Sequence, residues 1–161
     1  MQLDNRILTK AESLFFKYGI KSISMDDLSR ELGISKKTLY QSVENKKELV
    51  IQVFQNLIQK EIDAVISIRK DADDAIDEMI EVARYVIPML RQISPTLIFD
   101  IQKYYRDVWL LCEEFNQQEV FTVIKENIER GIKEGIYREE FHSEIIAKLY
   151  VGKTNLVIDE D

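Results

Sequence analysis

The stretch Ser24-Met25-Asp26-Asp27-Leu28-Ser29-Arg30-Glu31-Leu32-Gly33-Ile34-Ser35-Lys36-Lys37-Thr38-Leu39-Tyr40 decides the fold. Ser24, with Asp27 three residues on, has the arrangement in which a hydroxyl and a carboxylate reciprocally satisfy the free N–H groups of a helix start. Leu28 and Leu32 follow at helical spacing, and Gly33 supplies the residue that ends a helix in a left-handed conformation. Ser35 then caps a second short helix from Lys36 to about Val43, with Leu39 and Val43 facing inward.

Outward from this pair the pattern stays helical. Ile7, Ala11, Leu14, Phe15 and Tyr18 define a first helix over Leu3 to Tyr18, closed by Gly19. Asn45, with Glu48 three residues on, opens a long fourth helix whose broad apolar face includes Leu49, Val50, Val53, Phe54, Leu57 and Ile66. The charged stretch Arg69 to Asp74 breaks it. A fifth helix carries Ile76, Met79, Ile80, Ala83, Val86, Ile87 and Leu90, and Pro88 should kink or end it. Ser94-Pro95 starts a sixth, a seventh is predicted over Asp107 to Glu134 before Gly135, and an eighth begins at Ser143 with Ile145, Ile146, Leu149 and Tyr150. No period-two pattern and no internal repeat interrupts the series, so the chain reads as all-α.

The 161 residues suffice for one domain or two small ones, and 45% apolar with 32% charged residues, 5 Gly and 2 Pro exclude collagen-like and disordered classes. Cys112 is the single cysteine and His142 the single histidine, so neither an internal disulfide nor a Cys/His metal site can form, and a reducing cytoplasmic setting is expected. The first ten residues lack a signal-peptide core, and runs such as Val108 to Cys112 are too short to span a bilayer, so no membrane partner is expected. Net charge is −7, yet residues 1–60 carry 10 Lys/Arg against 7 Asp/Glu, a balance of +3, while residues 61–161 stand at −10. A mildly basic head precedes an acidic body.

Two short helices joined by a glycine turn, with a helix before and a long one after, form a helix-turn-helix. Lys36, Lys37, Thr38, Tyr40 and Gln41 fall on or near the exposed side of its second helix, which suits phosphates and base edges, and Lys46 and Lys47 start the next helix, where N–H groups favour an anion. Gly33 to Tyr40, then Lys46 and Leu49, with Ser24-Met25-Asp26-Asp27-Leu28 and Phe15-x-x-x-Gly19 upstream, closely resemble the DNA-binding domain of TetR-family transcriptional regulators over roughly residues 5 to 55. Ser42-Val43 departs from the family's usual His or Tyr followed by Phe, which removes a ring that often touches the DNA backbone.

The resemblance implies a helix-turn-helix domain over residues 1–48 and a helical ligand-binding and dimerisation domain over 49–161, bridged by helix four from about residue 46. It further implies a homodimeric repressor that binds a palindromic operator in double-stranded DNA and is released by a small apolar effector. Carried onto matching positions, Lys37 and Thr38 lie at the groove, Tyr40 and Lys46 hold phosphates, and Ser24 caps a helix whose N-terminus points at the backbone, with Ser35 also counted among the DNA-binding residues.

Tyr85, Met89, Phe99, Tyr104, Tyr105, Trp109, Cys112, Phe115 and Phe121 have the composition of an apolar pocket lining between helices five and seven, and equally that of ordinary core. The pairs Asp73-Asp74 and Glu113-Glu114 are neighbours about 100° apart around a helix, which suits solvated faces better than metal ligation or catalysis. No catalytic constellation, cofactor motif or metal site can be assembled, so an enzyme is not expected. The alternative to a regulator is a helical protein-interaction bundle that keeps the fold without specific DNA binding, as the net charge and Ser42 would suit. An eighth helix with Ile145, Ile146, Leu149, Tyr150, Leu156, Val157 and Ile158 is expected to expose an apolar stripe, covered by a second chain or by a further C-terminal segment.

Overall fold

Helix starts in this protein are set by side chains that take up free backbone N–H groups, and a computed structural model describes them over residues 4–159, with side chains through residue 153. Helix α1 (Asn5–Tyr18) is capped by Asp4, α2 (Met25–Leu32) by Ser24, α3 (Lys36–Ser42) by Ser35 and α6 (Pro95–Tyr104) by Ser94, with Pro95 in its first turn. At the start of α4 (Lys46–Asp71) the Asn45 side chain accepts from the Glu48 N–H at 2.9 Å, and at α5 (Ala75–Leu90) Asp74 accepts from the Asp77 N–H at 2.9 Å. Helices α7 (Arg106–Phe115), α8 (Phe121–Lys133) and α9 (Ser143–Asp159) complete the α-helices of the described residues, which include no strand.

Two compact units are formed. The first comprises residues 1–60 and 89–112. Its core is built on Phe15, Ile20, Leu28, Leu39, Leu49, Val50 and Val53, all fully buried, and is completed by Leu97, Ile101 and Val108 from α6 and α7. This unit is therefore larger than the 1–48 segment read from the sequence: α1 and α4 leave apolar surface that α6 and α7 cover. Two polar contacts fix α6 there. The Ser94 N–H donates to the Phe16 carbonyl at 3.1 Å, and the Lys21 N–H donates to Asp100 Oδ2 at 2.8 Å. Between them Gly19 has φ of +80°, and a Cβ there would sit 2.6 Å from Thr96 Cγ2, so the close approach of α6 requires glycine.

The second unit comprises residues 61–88 and 113–161. Ile124, Ile128 and Ala147 form its apolar centre, with Met79, Val120, Phe121, Ile132 and Ile146 packed against them. Beside it lies a polar network. Glu78 is fully buried and accepts from Arg130 Nη1 at 3.0 Å, with Arg69 Nε 4.0 Å from its other oxygen. Arg130 also reaches Glu134 at 2.7 Å and the Ala72 carbonyl at 3.0 Å. Asn127 donates to the Ala75 carbonyl at 2.8 Å and accepts from the Tyr137 hydroxyl at 3.2 Å.

Three expectations are corrected, and the exposed apolar stripe expected on the last helix is met in part. Helix α4 continues to Asp71, so the break narrows to residues 72–74. Helix α5 runs two residues past Pro88, and its fully buried residues are Ala75 and Glu78, with Met79 half-buried against the unit's apolar centre, while Ile76, Ile80, Ile87 and Leu90 are exposed. The arginines explain this reversal, because a paired carboxylate is tolerated inside. The single helix predicted over Asp107 to Glu134 is divided by a π-helical turn at Asn116–Val120, where the ladder shifts to a five-residue spacing. On α9, Ala147 and Val151 are buried with Ile146 partly so, whereas Ile145, Leu149 and Tyr150 are exposed; the side chains of Leu156, Val157 and Ile158 lie outside the described residues.

Asn127→Leu should lower the stability of the chain by about 1–3 kcal/mol, because it removes the Asn127 donor from the Ala75 carbonyl and leaves the Tyr137 hydroxyl only its 3.3 Å bond to that same carbonyl. Urea denaturation checks this, and Tyr137→Phe added to the Asn127→Leu variant should cost less than the same change in the native chain.

Candidate nucleic-acid interface

The helix-turn-helix is framed by local hydrogen bonds at its helix ends. Ser24 Oγ accepts from the Asp27 N–H at 3.1 Å, and Asp27 Oδ2 accepts from the Ser24 N–H at 2.9 Å and its hydroxyl at 2.6 Å. These bonds hold the Asp27 carboxyl below the usual carboxylate range, the Ser24 hydroxyl first. Gly33, in the left-handed region at φ +68°, turns the chain, and the Ile34 N–H donates to the Ser29 carbonyl at 3.0 Å. Ser35 Oγ accepts from the Thr38 N–H at 3.0 Å and lies 2.7 Å from the Thr38 hydroxyl. Arg6 donates to the Leu32 carbonyl at 2.6 Å, which satisfies the end of α2 from α1.

On α3 the buried Leu39 and, just beyond it, Val43 face the core, which leaves Lys36, Lys37, Thr38, Tyr40 and Gln41 exposed. Val43 fills its place in spite of its smaller volume. The cations are not equivalent. Lys36 is paired with Asp26 at 2.8 Å, and this partner raises its pKa. Lys37 has no ion pair or hydrogen bond among the described residues and stands free on the outer face. Lys46, half-buried at the start of α4, donates to the Ile20 carbonyl at 2.5 Å; burial lowers its pKa, against the opposing pull of Asp100 and Asp27. Lys47 meets Asp107 at 2.5 Å. All eight sequence-predicted positions thus lie between the cap of α2 and the first turn of α4 in the first unit, with Ser24 and Ser35 used as caps.

Sequence reasoning missed Asp26 as the partner of Lys36 and Asp100 as the buried anchor of the Lys21 backbone. The signal for Asp100 was present: one carboxylate stands among Leu97, Ile98, Phe99 and Ile101 in a helix otherwise apolar on that side.

The predicted pocket residues divide. Met89, Tyr105, Trp109 and Cys112 pack partly buried against the first unit's core, and burial pushes the Tyr105 hydroxyl up. Phe99 is exposed and stands edge-on to Tyr104. Tyr85 and Phe115 belong to the second unit, where the Tyr85 hydroxyl donates to the buried Glu61 at 3.3 Å. No group of three His, Cys, Asp or Glu among the described residues could hold a metal ion, and no helix among them is long and apolar enough to cross a membrane.

The capped pair of short helices with an open lysine face coincides with a family match. Residues 7–53 match the model described as bacterial regulatory proteins, tetR family. Over this segment the chain is similar to the DNA-binding part of the TetR family of transcriptional regulators. It is 25% identical over 164 residues to the uncharacterized HTH-type transcriptional regulator YvaF of Bacillus subtilis (strain 168), covering 99% of this chain and 83% of that one. It is 23% identical over 159 residues to the biofilm operon icaADBC HTH-type negative transcriptional regulator IcaR of Staphylococcus epidermidis, covering 99% and 75%. Its fold is similar to that of AibR, solved in complex with isovaleryl coenzyme A and operator DNA, with a TM-score of 0.65 at 15% identity over 98% of this chain and 86% of that one. The matched segment takes in most of α1, the helix-turn-helix of α2 and α3, and the start of α4.

Burial pushes the Cys112 thiol up from 9.0 to about 11. At pH 8 its alkylation by iodoacetamide should run about a hundredfold slower in the folded chain than in urea. The thiol is held neutral by folding, so its contribution to stability is intact below about pH 9 and is lost as pH rises through about 11. The stability difference between the native chain and Cys112→Ala should shift against the native chain over that range.

Proposed function

We propose that this regulator is a cytoplasmic repressor that binds a palindromic operator as a homodimer through α3 and is released by a small effector with an apolar portion. The observation that carries the reading is Lys37, the unpaired cation on the exposed face of a helix whose other side is fixed by Leu39. A lysine so placed can offer its ammonium to a guanine edge without first surrendering a carboxylate. Lys46 acts differently. Its ammonium is already held by the Ile20 carbonyl, so it offers its remaining donors from a fixed position, which suits a phosphate. Tyr40 and Gln41 flank the same face, and Thr38 adds its hydroxyl at the groove.

Repression is supported by the relative named as a negative regulator, and an effector with an acyl portion by the neighbour solved with isovaleryl coenzyme A. Met89, Tyr105, Trp109 and Cys112 are the predicted lining residues that lie together in the first unit, with Phe99 as a further candidate there. The homodimer reading rests on α9, where Ile145, Leu149 and Tyr150 are exposed on one helix. A two-fold pair through such a face sets two recognition helices about 34–36 Å apart, one turn of DNA.

The competing reading, a helical interaction bundle that does not bind DNA specifically, draws on the internal engagement of Lys36 and Lys46 and on the small Ser42. Two measurements separate them. In a salt series on duplex DNA, Lys46→Ala should weaken all sequences alike, while Lys37→Ala should narrow the difference between preferred and random sequence by about 1–3 kcal/mol. Equal losses on every sequence would return Lys37 to the backbone, and binding that ignores salt would favour the bundle. Sedimentation across a concentration series should show a dimer at micromolar chain concentration, and Leu149→Glu should shift it toward monomer.

A further inference from the structure

A second cluster of cations, outside the helix-turn-helix, lies in the first unit where the turn after α1 meets the end of α6. Lys21 places its ammonium 3.8 Å from the centre of the Tyr104 ring. Tyr104 stands edge-on to Phe99, with ring centres 6.1 Å apart, and Lys103 lies 5.0 Å from the Phe99 ring and 5.6 Å from that of Tyr104. Arg106 follows at the start of α7. All three cations are exposed, and none forms an ion pair among the described residues, whereas the neighbouring Lys47 is paired with Asp107. The rings are open as well, with Phe99 51% and Tyr104 44% exposed.

We propose that Lys21, Lys103, Arg106 and the Tyr104 ring form a second phosphate-binding ledge, which holds duplex DNA beside the segment read by α3. The inference rests on the proposal that the first unit binds duplex DNA. Three observations carry it. The ledge is continuous with the start of α4: Lys46 donates to the Ile20 carbonyl, one residue before Lys21, and Lys47 pairs with Asp107, one residue after Arg106. Its charge is uncompensated in a chain of net charge −7, so it is a local exception that attracts a polyanion. Its lysines are ordered by ring faces instead of by carboxylates. An aromatic face restricts an ammonium without accepting its N–H groups, which stay available to phosphate oxygens. Asp100 adds the anchor: buried on α6, it takes the Lys21 N–H at 2.8 Å and spends its charge on the backbone, away from the ledge surface.

The test is the salt dependence of binding to mixed-sequence duplex DNA by the full chain. Each phosphate contact contributes about 0.9 to the slope of log affinity against log salt, so Lys21→Ala with Lys103→Ala should lower the slope by about 2. Lys133→Ala, on α8 of the second unit, should leave it unchanged, and Tyr104→Leu should lower it by less than the double variant while keeping the thermal melt near that of the native chain. A native slope in the double variant overturns the ledge and leaves the DNA-binding proposal standing. An equal loss in Lys133→Ala overturns it too, by assigning the effect to overall charge. If the native chain shows no salt-dependent binding, both proposals fall. Binding to phosphatidylglycerol vesicles that the double variant loses while its DNA slope stays native reassigns the surface to anionic membrane and overturns the ledge.

Discussion

A helix of seven residues has almost no stability of its own in water, because nucleation fixes several residues before hydrogen bonds repay the cost. Helix α3 is such a helix, and the face proposed to read DNA depends on keeping it folded. Two things hold it. Ser35 closes its first turn through the Thr38 N–H, and Leu39, fully buried, pins its inner side to the core made by Phe15, Leu28, Leu49 and Val53. Burial of one leucine is worth about 1.5–3 kcal/mol, a large share of what so short an element needs. The outer positions are then free to be chosen for chemistry, since none of them is needed to hold the helix.

The same core explains why α6 and α7 belong with the head. Three short helices and the start of α4 cannot close over their own apolar faces, and Leu97, Ile101 and Val108 supply the missing cover. Polar contacts then fix the register. Asp100 holds the Lys21 N–H and Ser94 donates from its backbone to Phe16, on either side of a glycine with no room for a Cβ. Any movement of α6 would act directly on this loop and on Lys46, which is bonded to its Ile20 carbonyl.

Much of this was legible in the sequence, and the reasons are physical. Caps and glycine turns are local, so Ser24, Gly33, Ser35 and Ser94-Pro95 mark their helix ends without knowledge of the rest. The apolar spacing of Leu28, Leu32 and Leu39 is equally local. What escaped depends on partners far along the chain. Glu78 reads as a surface residue until Arg130, 52 residues away, is known to reach it, and its burial turns Ile76 and Ile80 outward. The π turn at Asn116–Val120 follows no glycine or proline that would announce it. Lys36 and Lys46 read as free cations because their partners, Asp26 and the Ile20 carbonyl, lie across turns.

The pairing of Lys36 with Asp26 bears on how such a protein searches a genome. A free lysine releases a counterion at any phosphate it meets, so it strengthens binding everywhere alike. A lysine already held by a carboxylate gains little from an arbitrary phosphate, since it exchanges one anion for another. Dwell times on wrong sites are thereby shortened. At the right site the proposed base contact falls to Lys37, which has no carboxylate partner to give up. On the proposed reading of α3, Asp26 thus trades static affinity for speed of search.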